Sequence, residues 1–116
     1  MVSIEENLLH HSRRNERLIA VLNEKAVSLT DARTIDLHFW AWSEVGARSI
    51  AEELGTRGMV IQQIAPTECD RESDVWSVEA SVERSVDTVT ASEFIREMIT
   101  LAAKHSGEFD GWGTSV

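Results

Sequence analysis

Cys69 is the only cysteine in the chain, so no intramolecular disulfide can hold it together. Basic residues are scarce as well: 11 Lys and Arg stand against 20 Asp and Glu, for a formal charge of −9. Nucleic-acid phosphates are bound chiefly by Lys and Arg that release counterions, so this balance argues against direct RNA or DNA binding. No run approaches the roughly 20 apolar residues that a membrane span requires. The opening Met-Val-Ser-Ile-Glu-Glu has neither a basic stretch nor an apolar one, and the expected location is the cytoplasm. A single proline, Pro66, marks a loop together with Thr67, Asp70 and Ser73.

Reactive constellations are equally thin. Cys69 lies between Glu68 and Asp70, and neighbouring carboxylates disfavour the thiolate that would be its reactive form. The four histidines, His10, His11, His38 and His105, lack metal-ligand spacing, and adjacent His10 and His11 diverge on a helix. Paired acids such as Glu5-Glu6 and Glu52-Glu53 fall on solvated helix faces, with no apolar pocket to separate their pKa values. Gly111-Trp112-Gly113 lacks the Lys and the strand-loop-helix setting of a phosphate loop. The expectation is a chain that is not an enzyme and carries no cofactor and no metal.

What is present is a core. Hydrophobic residues make up 42% of 116, enough for one domain over 1–116, with residues 1–13 loosely ordered. Ser3-Ile4-Glu5-Glu6 fits a capping box, but His10 to Arg17 interrupts the apolar pattern, so the first helix is expected mainly over 14–26. Residues 33–42 alternate: Ile35, Leu37, Phe39 and Ala41 on one face, Asp36, His38, Trp40 and Trp42 on the other. A helix follows at 43–56, capped by Ser43 and ended by Gly55 and Gly58. Met59–Ile64 and 74–84 read as further strands. A last helix is expected at 91–105 from a second capping box, Thr90-Ala91-Ser92-Glu93, and the tail reads as a turn and a fourth strand.

This order, a helix and then β-α-β-β-α-β, predicts an α+β fold of ferredoxin-like type. An antiparallel sheet carries its helices on one face, beside an extra N-terminal helix. The opposite face then presents Asp36, His38, Trp40 and Trp42, together with Ser77 and Glu79. Tryptophan is enriched at interface hot spots, and an acidic field attracts a basic partner. The open face also leaves room for a homodimer.

The tail Gly107-Glu108-Phe109-Asp110-Gly111-Trp112-Gly113-Thr114 resembles the Gly-Glu-Tyr-Asp-Gly-Trp-Gly-Thr signature of the RraB family, regulators of ribonuclease E activity. Arg33-Thr34-Ile35-Asp36-Leu37-His38-Phe39 is similar to that family's Arg-x-Ile-Asp-His-x-Phe strand. The likeness continues through Leu54 to Val60 and Trp76-Ser77-Val78, covering about residues 16–115. Phe109 replaces the usual Tyr, and His38 falls two places after Asp36. The resemblance implies a ferredoxin-like fold and control of a ribonuclease by protein–protein contact, with no catalytic residue to transfer. The expected contact residues are Asp36, His38 and Trp40 on the sheet and Asp110 and Trp112 on the tail. The expected partner is a ribonuclease or another RNA-processing protein with a basic region. Two other readings stay open: an ACT-like small-molecule sensor with its ligand near Gly55–Gly58, and an immunity-type protein that neutralises a toxin.

Overall fold

The computed structural model describes residues 4–67 and 75–115. Its elements run α1 (Ile4–Glu24), β1 (Arg33–Ala41), α2 (Glu44–Thr56), β2 (Val60–Pro66), β3 (Trp76–Arg84), α3 (Val86–Thr90), α4 (Ser92–Lys104) and β4 (Gly107–Gly113). The strands form one four-stranded sheet in the order β2-β3-β1-β4, antiparallel at every pairing. β1 and β2 are thus separated by β3, and β3 and β4 by β1. This is the interleaved pair of strand-helix-strand units expected of the ferredoxin-like arrangement.

Alternation along the strands decides which face is buried. Ile35, Leu37, Phe39 and Ala41 of β1 and Val78, Ala80 and Val82 of β3 point into the core. They meet Ala47, Ile50, Ala51 and Leu54 of α2 and Ile95, Met98, Ile99, Leu101 and Ala102 of α4. The second face carries Asp36, His38 and Trp40 opposite Ser81, Glu79 and Ser77.

Helix ends follow local chemistry in α2 and depart from it in α4. Ser43 caps α2 by accepting from the Gly46 N–H at 3.0 Å. At the other end Met59 N–H reaches back to the Leu54 carbonyl at 3.1 Å, around Gly58 at φ 85°. This is a Schellman closure, in which glycine suits the left-handed position. The expected capping box at Thr90 does not form. Ala91 occupies the N-cap position of α4 without a side-chain bond, and the Thr90 hydroxyl donates to the Val86 carbonyl at 2.9 Å. Burial of Val86 and Val89 pulls this stretch into the extra helix α3, which Ser85 caps. The first capping residue, Ser3, lies outside the described residues.

Helix α1 runs unbroken through the polar stretch where the sequence suggests an interruption. Its inward stripe is Leu8, His11, Asn15, Leu18 and Leu22, spaced by three and four as a helix requires. Two members of that stripe are polar, and both are buried. The helix packs on α4 and is tied to it by the Glu5–Arg96 ion pair at 2.7 Å.

Candidate functional site

The second sheet face is organised by a break in the β1–β4 register. His38 stands opposite Gly111 and Phe39 opposite Phe109, which leaves Asp110 as the extra residue of a bulge. The bulge aims the Asp110 carboxylate at His38 Nδ1, 3.3 Å away. On the other side of the ring, His38 Nε2 lies 3.0 Å from Ser77 Oγ on the neighbouring strand. Asp110 thus stands within ion-pair distance of one ring nitrogen, and the other shares a hydrogen bond with the Ser77 hydroxyl whose direction follows the tautomer of the ring. Trp40, two residues on, tilts against the imidazole with ring centres 4.6 Å apart.

Acid, imidazole and hydroxyl in sequence share the order of a hydrolytic triad, but the setting lacks its other half. Ser77 is paired on both sides, with Trp40 of β1 and Ala65 of β2. Ser77 thus lies in mid-ladder, and not at a turn or helix N-terminus, where backbone N–H groups converge to hold an oxyanion. The network orients His38 and Trp40 on the second face of the sheet.

Around it lies a groove of about 420 Å³, bordered by Asp36, Glu79, Gln62 and Arg14 as well as His38 and Asp110. Glu108 sits across from Trp40 on β4, and Trp42 stands 49% exposed just past β1. Of the residues expected from sequence, Asp36, His38 and Asp110 meet in this groove, and Trp40 adjoins it. Trp112 does not lie on the surface. It is buried at 6% exposure, forms a wall beneath the groove, and donates its indole N–H to Asn15 Oδ1 at 2.7 Å. Cys69 lies outside the described residues. Among the described residues no three of His, Cys, Asp and Glu converge as a metal site, and no helix is long and apolar enough to cross a membrane.

Sequence reading missed the residues that hold the bulge in place, all on α1. His11 Nε2 donates to the Phe109 carbonyl at 3.0 Å, and its ring stacks on Phe109 with centres 5.0 Å apart. Arg14 donates to the Asp110 carbonyl, and Asn15 receives the Trp112 indole. The available signal was positional: His11 and Asn15 share the helical stripe of Leu8, Leu18 and Leu22. Gly111 completes the assembly. Its φ is 135°, and a Cβ there would stand 2.8 Å from Arg14 Nη1. The guanidinium can swing aside, so the backbone conformation sets most of the cost. Gly111→Ala is expected to destabilise the fold by about 1–3 kcal/mol, measured by urea unfolding. A loss below a few tenths of that range would mean that the bulge relaxes freely.

Burial of His11 lowers its pKa from the ordinary 6.5, more strongly than its bond to Phe109 raises it. The unfolded chain therefore binds a proton at higher pH than the folded one. Stability from neutral His11 is complete above 6.5 and declines as pH falls below it. Glu53 adds a second acid-side loss. Donors from His105, Lys104 and Arg57 hold it down to about 2 from 4.5, so its contribution declines below 4.5. Thermal melts from pH 7.5 to 5, roughly the window of histidine titration, should slope downward for the wild type. They should run flatter for His11→Gln, and equal slopes would rule out His11 as the source.

No curated protein matches the chain. A family model described as regulator of ribonuclease activity B, RraB, does match, over residues 12–114. That span takes in β1, the bulge, the Trp112 anchor and the inward residues Asn15, Leu18 and Leu22 of α1. With nearly its whole length covered, the chain belongs to the RraB family, whose members are regulators of ribonuclease activity and not enzymes.

Proposed function

We propose that this protein regulates ribonuclease E in the cytoplasm by direct contact, using the second face of its sheet to bind a basic region of the enzyme. The observation that carries the reading is the His38–Trp40 pair, held rigid by Asp110 and Ser77 and rimmed by carboxylates. A preoriented aromatic loses little side-chain freedom on binding, which is the property of an interface anchor. Asp36, Glu79, Glu108 and Asp110 surround that anchor, with Arg14 at the margin. Such a surface attracts basic segments and repels phosphate backbones, so the ribonuclease itself is the target and not its RNA.

Binding of the purified chain to ribonuclease E, followed by biolayer interferometry at low and moderate salt, tests this. Association should be fast at low salt and slow as salt rises. No binding at low salt would overturn the proposal. The rim should act through rate: the double change Asp36→Asn and Glu79→Gln is expected to lower the association rate and flatten its salt dependence. The dissociation rate should stay close to wild type. A change confined to dissociation would move those two carboxylates into the buried centre of the contact.

A further inference from the structure

The sheet ends in two edge strands, β2 and β4, and they are not alike. On β4, the carbonyls of Phe109 and Asp110 accept from His11 and Arg14 of α1. Among the described residues, no side chain from another element hydrogen-bonds to the backbone of β2, whose ladder runs to β3. An open strand edge is a template for pairing with another chain, and proteins guard it with charge, proline or a bulge; β2 has a bulge at Gln62 and ends at Pro66, but carries no charge. Here residues 58–67 contain no charged side chain, in a protein that is 27% charged. Val60 is 60% exposed.

The edge is also self-complementary. Val60-Ile61-Gln62-Gln63-Ile64-Ala65 reads almost the same in both directions. Two copies laid antiparallel about a twofold axis between Gln62 and Gln63 set Ile61 against Ile64, Gln62 against Gln63, and Val60 against Ala65. A regular strand would defeat this, because residues three apart point to opposite faces. The register break between Ile61 and Gln63 repairs it. Ile61 pairs with Ala80 and Ile64 with Val78, both core-facing positions, so both isoleucines lie on the helix side. Val60 and Ala65 pair with Ser81 and Ser77 and share the second face. A twofold contact demands this match of one patch with itself.

We infer that β2 is the pairing edge of a symmetric homodimer, in which the sheets of two copies join into one. Cross-strand Ile61–Ile64 pairs stabilise the helix side of the joint, and Val60–Ala65 pairs the other. The twofold axis runs perpendicular to the sheet, so both His38–Trp40 faces point the same way. A single strand pair makes a small contact, within the weak class below about 1,200 Å².

Sedimentation equilibrium of the full chain over a concentration series reaching about 1 mM, where even a 4.1 kcal/mol association is half formed, tests the inference. The mass should rise from 13.0 kDa toward twice that value. Gln62→Lys with Gln63→Lys places lysine against lysine twice and should hold the chain at the monomer mass. The same double change lowers the net negative charge, so overall repulsion cannot account for the loss. Gln62→Glu with Gln63→Lys sets opposite charges across the joint and should dimerise at least as well as wild type. Circular dichroism confirms that each variant is folded. A wild type that stays monomeric throughout, or a double-lysine variant that still dimerises, overturns the inference.

Discussion

Trp112→Ala is expected to lower the free energy of unfolding by about 3–5 kcal/mol. The indole is 94% removed from solvent at the join of β4, the core and α1, so its loss opens a cavity beside Leu37, its partner in the ladder. Among the described residues the substitution also removes the one hydrogen-bond partner of the buried Asn15 side chain, whose Nδ2 has none. An unsatisfied buried polar group costs about 1–3 kcal/mol. Small domains hold about 5–15 kcal/mol in total, so the variant should be marginal at 37 °C. Trp112→Phe separates the two causes. It keeps most of the ring volume and deletes the N–H, and should cost about 1–2 kcal/mol. Urea unfolding measures both. If Trp112→Ala costs less than about 1 kcal/mol, the indole does not anchor α1 to the tail.

Trp40→Ala should leave stability nearly intact and weaken binding. Truncating a central interface tryptophan costs about 2 kcal/mol or more, roughly a 30-fold rise in Kd. Trp40 is half-buried against His38 in the free protein, so it enters the contact already oriented. His38→Ala removes the ring that Trp40 leans on and frees the Asp110 and Ser77 side chains. Its effect on Kd should be smaller than that of Trp40→Ala, and it should appear as loss of orientation of an otherwise present anchor. Isothermal titration against ribonuclease E, with thermal melts to confirm folding, measures both. A folded Trp40→Ala that binds with wild-type affinity would remove this face from the interface.

Much of this architecture is legible in the residues because it rests on short-range rules. The alternation of β1 names its buried side chains without ambiguity, since a strand has only two faces. Ser43 and Gly58 announce the ends of α2 through the backbone conformations they favour. The tail signature led to the RraB family, and the family model agrees. Thr90 misled for the same local reason. A capping box describes what an isolated turn prefers, and burial of Val86 and Val89 outweighed it.

Binary pattern and local chemistry in the chain alone determined the order of the strands and of every helix but α3, the ferredoxin-like sheet and the identity of its two faces. Tertiary structure decided what stands on the second face and what holds it there. His11 and Asn15 look like solvent-facing residues until Phe109 and Trp112, nearly a hundred positions away, supply their partners. Asp110 reaches His38 only because a bulge shifts β4 by one residue. Side-chain polarity is a property of one residue, whereas satisfying a buried donor or acceptor depends on a second residue that only the folded chain brings near.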